Sequence, residues 1–127
     1  MEFPNNLYYT KDHEWISAKE DKATVGISSY ALEQLGDVVH IELPTVGDHF
    51  DSGESFGTIE STKTVSDLYL PLGGTIIAIN EKIMNAPELL STDPYESGWL
   101  VKIEINHSKE KILFNKKEYQ AYLSSSI

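Results

Sequence analysis

The chain contains no cysteine and no arginine, and no apolar run in it approaches membrane-spanning length. Without cysteine there is no disulfide, no thiolate zinc ligand and no thiol nucleophile, so any sulfur chemistry must arrive on a prosthetic group. All ten basic residues are lysines against 20 acidic residues, a formal net charge of −10. Nucleic acid is bound through clustered positive charge that usually includes arginine, and here the field repels phosphate nearly everywhere. The opening MEFPNNLYYTKDHEW has neither the basic flank nor the apolar core of a signal peptide. A cytoplasmic location without nucleic-acid or membrane partners is therefore expected.

What is present is ordinary for a globular protein: 40% hydrophobic and 24% charged residues over 127 positions. One domain spanning 1–127 is expected, large enough to bury roughly two thirds of the surface its unfolded chain exposes. Short β-type runs recur between turn signals: LYYT, EWISA, KATVGI, VVHIEL, SFGTIE, VSDLYL, GTIIAIN and WLVKIEI. This spacing predicts a mainly β fold, an antiparallel sandwich or barrel. In VVHIEL the alternation places Val39, Ile41 and Leu43 inward, with His40 and Glu42 outward.

Helices are expected to be few. SSYALEQLG offers a serine N-cap, a stripe of Ala31, Leu32 and Leu35, and Gly36 as a stop. NAPELL predicts one helical turn with Asn85 as its cap and Pro87 early in it. Near the end, Asn115 followed by Glu118 reads as a capping box, opening a helix over 115–123 whose Tyr119, Tyr122 and Leu123 share one face. The final SSSI has no reason to be ordered.

The segment GTIESTKTVSDLYLPLGG, residues 57–74, reads as a hairpin with Thr62 and Lys63 at its tip. Ser61 then faces Thr64, Glu60 faces Val65 and Phe56 faces Tyr69, a cross-strand aromatic pair. Two-residue hairpin turns favour Asn-Gly, Asp-Gly or Gly-X because they need positive φ, and this tip has neither glycine nor asparagine. A lysine there projects on a free stem where a modifying enzyme can grasp it. The residues alone leave it open whether Lys63 is such a target or one of ten solvated lysines.

The string IESTKTVSDLYLPLGG resembles the lipoylation segment of the glycine cleavage system H proteins, and KDHEW, ATVGIS, EQLGDVV, ELPTVGD and DPYESGWLVKI match the same family in order. The resemblance runs from about residue 7 to 123. It implies a flattened antiparallel β-sandwich of the biotinyl/lipoyl-attachment, hammerhead type, with the lipoyl hairpin at about 55–71 and (R)-lipoate in amide linkage to Lys63. It also implies a non-catalytic carrier that visits three enzymes. A pyridoxal-phosphate glycine decarboxylase (P protein) loads an aminomethyl group, a tetrahydrofolate-dependent aminomethyltransferase (T protein) removes the one-carbon unit, and a dihydrolipoamide dehydrogenase (L protein) reoxidises the arm. A lipoate ligase or a lipoyl/octanoyl transferase would attach the group, and a monomer is expected.

By the same resemblance, Glu60 and Asp67 stand where an attaching enzyme reads the loop, although both could simply keep an exposed hairpin soluble and unpaired. Glu14 would line a cleft for the charged arm, its bland alternative being a solvated strand position. Two departures are visible: Thr62 replaces an apolar residue before the lysine, and Thr64-Val65 replaces a smaller pair after it. Gly74 is expected to serve the backbone at a turn. His13, His40, His49 and His107 show no metal-ligand spacing. No nucleophile elbow organises a hydrolase. Other readings are an H-like lipoyl donor for 2-oxo acid dehydrogenase complexes, a biotin carrier, disfavoured because threonines rather than methionines flank Lys63, and an unmodified β-sandwich interaction module.

Overall fold

The computed structural model describes residues 4, 6–105 and 115–125. Nine strands and four short helices alternate along it: β1 (Tyr8–Tyr9), β2 (Glu14–Lys19), β3 (Lys22–Ile27), α1 (Ser29–Leu35), β4 (Val38–Glu42), β5 (His49–Phe50), β6 (Ser55–Ser61), β7 (Val65–Tyr69), β8 (Gly74–Ile79), α2 (Glu81–Asn85), α3 (Leu89–Thr92), β9 (Val101–Ile105) and α4 (Lys116–Ser125). A six-stranded sheet runs β1-β2-β3-β9-β8-β5 and a three-stranded sheet runs β4-β6-β7. Every pairing is antiparallel. The expected mainly β, two-sheet architecture is the one observed.

The apolar faces of the two sheets meet in one core. Ile16, Val25, Ile76 and Ile103 of the larger sheet share a buried cluster with Ile41, Ile59 and Leu68 of the smaller. Each such side chain contributes about 1.5–3 kcal/mol by leaving water. The strand β2 departs from simple alternation, because Glu14, Trp15 and Ile16 are all buried. Its outer face is covered: Trp15 belongs to a second, aromatic cluster with Leu7, Tyr9 and Tyr119, the last of these brought by α4. Tyr119 stacks on Tyr9 at 4.8 Å with the rings 7° from parallel.

Local signals account for the helix ends. Ser28 caps α1 by accepting from the Ala31 N–H, and Gly36 ends it at φ 81°, with its N–H donating to the Leu32 carbonyl. A left-handed residue at that position is the usual reason for glycine after a helix. Asn115 and Glu118 form the reciprocal capping box, each side chain accepting from the other's backbone N–H. The helix continues through Ser124 and Ser125, two residues beyond the expected end at 123, so the first two residues of SSSI are helical.

Several expectations fail for identifiable reasons. Asn85 ends α2 instead of capping a helix, and the turn that follows is α3, from Leu89. A β-bulge falls between Val38 and His40, so Val38 is buried and Val39 is half exposed. A second bulge between Ser55 and Gly57 pairs Tyr69 with Ser55. Phe56 therefore points into the core rather than across to Tyr69. Each bulge inserts one residue and turns the following side chains to the other face. Gly74 opens β8 rather than a turn: a Cβ there would come within 2.3 Å of the Glu104 carbonyl oxygen, so the close strand approach is what requires glycine. The two-residue strand β5 had no visible alternation to betray it. His107 lies outside the described residues.

Candidate functional site: a lysine tip beside a cleft

The β6–β7 hairpin closes as the residues suggested, with Glu60 opposite Val65 and the Ser61 N–H donating to the Thr64 carbonyl. No residue of the tip takes a positive φ. Ser61 supplies what glycine normally would: its Oγ, 6% exposed as a residue, accepts from the N–H groups of both Lys63 and Thr64 at 3.2 Å. The Thr62 N–H donates to the Asp37 carbonyl, tying the tip to the segment after α1. A side-chain oxygen that gathers two backbone donors makes a tight turn from ordinary φ values.

Lys63 is exposed, but its stem does not project free of the rest. A Cβ added to Gly36 would lie 3.4 Å from Lys63 Cε and 3.8 Å from Nζ, so the side chain leans across the C-terminal end of α1. Gly36 thus serves twice, as the left-handed helix stop and as the bare patch over which the lysine passes.

Beside this contact, a cleft of about 300 Å³ runs between the α1 helix and the β6–β7 hairpin. Its walls are apolar at Ile27, Ala31, Leu35, Ile59 and Leu68, and polar at Asp12, His13, Glu14, Gln34, Ser66 and Asp67. That volume is at the lower end of the roughly 300–1,000 Å³ typical of small-molecule clefts.

Glu14 is neither solvated nor idle. It is 2% exposed. Its Oε1 accepts from the Thr10 hydroxyl at 3.0 Å and its Oε2 from the Tyr69 N–H at 3.1 Å, so one carboxylate spans from β2 of the large sheet to β7 of the small one. Thr10 in turn accepts from the N–H groups of Asp12 and Glu14.

Glu60 and Asp67 are separated by their strands. The pairs Glu60–Val65 and Thr58–Asp67 share the outer face of the small sheet. Asp67, on the edge strand, also borders the cleft, whereas Glu60 on the central strand does not. Asp67 Oδ2 accepts from the Tyr69 hydroxyl at 3.5 Å.

His13, one of the four histidines without metal-ligand spacing, stands in the cleft wall at φ 65°. Its ring packs against Tyr30 at 4.9 Å between centroids and near Tyr119 and Tyr122. Burial holds the imidazole below the usual histidine range, with Asp12 opposing. Tyr119, also missed, joins His13 Nδ1 to Ser28 Oγ, each at 2.8 Å from its hydroxyl. No local sequence signal links positions 13 and 119. They meet only because α4 covers β1 and β2.

The fold and tip define a two-sheet β protein that presents one lysine on a serine-braced hairpin at the edge of a small cleft. Residues 7–126 match the family model described as glycine cleavage H-protein, and the chain belongs to that family. It is similar to the glycine cleavage system H protein of Halothermothrix orenii, 49% identical over 124 residues and 97% of each chain. It is likewise 49% identical to that of Bacteroides thetaiotaomicron, over 98% of this chain and 99% of the other. The crystal structure of a glycine cleavage system H protein from Mycobacterium marinum superposes with a TM-score of 0.90 at 41% identity, covering 96% of this chain and 99% of that one.

Proposed function

We propose that this chain is the lipoyl-group carrier of a glycine cleavage system, with (R)-lipoate in amide linkage to Nζ of Lys63 and no catalysis of its own. The observation that carries the reading is the lysine held at a braced tip, with its stem laid over Gly36 beside the cleft.

The residues present fit such a group. From Gly36 back to Tyr30 the helix α1 covers about 9 Å at 1.5 Å per residue, and its Leu35 and Ala31 make one apolar wall, with Ile59 and Leu68 opposite. An aliphatic chain extending from Nζ would find apolar surface along this path, and Asp12, Glu14 and Asp67 stand among the lining residues to receive a cationic end. When bound, lipoate supplies the disulfide redox couple and the sulfur attachment point that a chain without cysteine lacks. The chain's own part is to fix the attachment point, shelter the arm and keep it near carboxylates that favour an ammonium group. Converting the Lys63 amine to an amide takes the formal charge from −10 to −11 and ends its attraction to acidic neighbours.

In that role its partners are the glycine decarboxylase, the aminomethyltransferase, the dihydrolipoamide dehydrogenase and the lipoate ligase or lipoyl/octanoyl transferase that loads it. Serving three active sites calls for a monomer with small, transient interfaces. Glu60, outward on the hairpin beside the tip, suits recognition by the loading enzyme. No helix among the described residues is long and apolar enough to cross a membrane, and a cytoplasmic site of action accords with the partners.

The test is incubation with lipoate, ATP and a lipoate ligase, followed by peptide mass analysis. One lipoyl increment on Lys63, absent from Lys63→Arg, is expected. An increment on another lysine overturns the assignment.

A further inference from the structure

The cleft has a histidine hydrogen-bonded to a residue of the C-terminal helix, 106 positions away in the chain. His13 Nδ1 lies 2.8 Å from the Tyr119 hydroxyl, and that hydroxyl lies 2.8 Å from Ser28 Oγ. Ser28 is fully buried and already accepts from the Ala31 N–H at 3.3 Å. A serine oxygen accepting from an N–H still has one proton to give, and the Tyr119 oxygen is its acceptor at hand. Continued in the same direction, Tyr119 gives its own proton to Nδ1. Each hydroxyl in the row then both donates and accepts. Burial also raises the Tyr119 phenol above its ordinary value, which keeps that proton in place.

The other ring nitrogen faces a different surface. His13 Nε2 has no hydrogen-bond partner among the described residues, where no buried side-chain nitrogen or oxygen goes unpaired. Nε2 therefore reaches accessible surface, and His13 is among the residues that line the cleft.

We propose that Tyr119 is a positioning residue for the cleft: its hydroxyl donates to His13 Nδ1 and holds the ring as the Nε2–H tautomer, so the cleft wall presents an uncharged donor. This rests on the reading of the cleft as the resting place of the lipoyl arm. The ligand chemistry then divides in two. A cationic amine goes to the carboxylates of Asp12, Glu14 and Asp67, because an N–H donor cannot receive it. The Nε2–H is left for an electron-rich acceptor on the arm, sulfur or amide oxygen. The helix α4 becomes part of the site without bordering it, since Tyr119 braces both the His13 segment and the cap of α1, whose Tyr30, Ala31, Gln34 and Leu35 form the opposite wall.

The experiment is a pH titration of the His13 ring by nitrogen-detected NMR on the unmodified full-length chain, with Tyr119→Phe beside it. The phenylalanine keeps the stack on Tyr9 and removes only the hydroxyl. In the wild type at neutral pH the expected pattern is a protonated Nε2 and a bare, hydrogen-bonded Nδ1. A protonated Nδ1, or rapid averaging between tautomers, overturns the proposal, and this measurement stands even if the variant does not fold. A bond accepted by Nδ1 exists only in the neutral ring, so its removal should move the His13 midpoint up by about 0.5–1 pH unit. Were Nδ1–H instead donating to Tyr119, the bond would be stronger in the charged ring and the midpoint would fall. Asp12 beside His13, the Tyr30 and Tyr122 rings against it, and the cleft carboxylates of Glu14 and Asp67 are the same in both proteins, so the sign isolates the Tyr119 hydroxyl. An unchanged or lowered midpoint overturns the proposal. Docking of the arm is read separately, from shifts of Ala31, Gln34 and Leu35 on lipoylation, so either reading can fail without the other.

Discussion

Replacing Glu14 by glutamine changes one atom and tests how the two sheets are held in register across the cleft. Two donors converge on the carboxylate, the Thr10 hydroxyl on Oε1 and the Tyr69 N–H on Oε2. Thr10 cannot reverse its role at no cost, since its oxygen already accepts two backbone N–H groups. A carboxamide has a single acceptor oxygen, so in either orientation its NH2 meets a donor and one bond is lost. At 2% exposure water does not readily replace that bond, and an unmet buried donor costs about 1–3 kcal/mol. Glu14→Ala loses both bonds and leaves a void, for about 3–5 kcal/mol. With an unfolding entropy of about 2.1 cal/mol/K per residue, each kcal/mol moves the Tm of a chain this size by roughly 4 °C. The expected loss is then about 4–12 °C for glutamine and roughly twice the midpoint of that range for alanine. Urea titration gives the free energies, and amide exchange gives a local readout, since the Tyr69 N–H should lose protection before its neighbours on β7. Both variants falling within 0.5 kcal/mol of the wild type, with Tyr69 exchange unchanged, would refute the strut.

Two further outcomes follow from packing and burial. Gly57→Ala puts a Cβ 2.2 Å from the Glu42 carbonyl oxygen at the end of β4. Backbone must move on one side, so the loss should exceed about 3 kcal/mol by urea denaturation, whereas Gly47→Ala, with nothing within 4 Å, should show only the smaller strain of its φ of 100°. Burial raises the phenols of Tyr9 and Tyr119 above their ordinary value. For a group raised on folding, the stabilisation is complete below the unfolded pKa of about 10 and is lost above it, so stability should drop beyond pH 10 by up to about 1.4 kcal/mol per pH unit for each tyrosine. Tyr119→Phe should make that alkaline slope shallower, and an identical slope would contradict it.

The hairpin and its lysine were legible because their determinants are local: alternation over 57–61 and 65–69, and a tip bounded by strand residues. The same holds for α1 between Ser28 and Gly36, and for the Asn115–Glu118 box. What resisted reading was everything that depends on one strand's offset from another. The bulge at Val39 and the one beside Phe56 each reverse a face, and no residue at either place announces it, because a bulge is set by what the partner strand needs. Glu14 illustrates the same limit. Its position before Trp15 reads as an exposed strand start, and only the arrival of Tyr69 from the other sheet, with Thr10 on its other oxygen, makes it a buried strut.

Sequence by itself determined the charge, the absence of thiol chemistry, the mainly β antiparallel class and the placement of Lys63 at a turn, since each follows from residue type and short-range periodicity. The choice of a two-sheet sandwich over a barrel came from the family resemblance. Tertiary structure alone decided that Lys63 lies over Gly36, that α1 and the hairpin enclose a cleft, and that His13, Ser28 and Tyr119 share one row of hydrogen bonds. Contacts across up to 106 positions of chain carry no local signature, because the packing of sheets and helices, rather than the backbone preference of any segment, brings such residues within bonding distance.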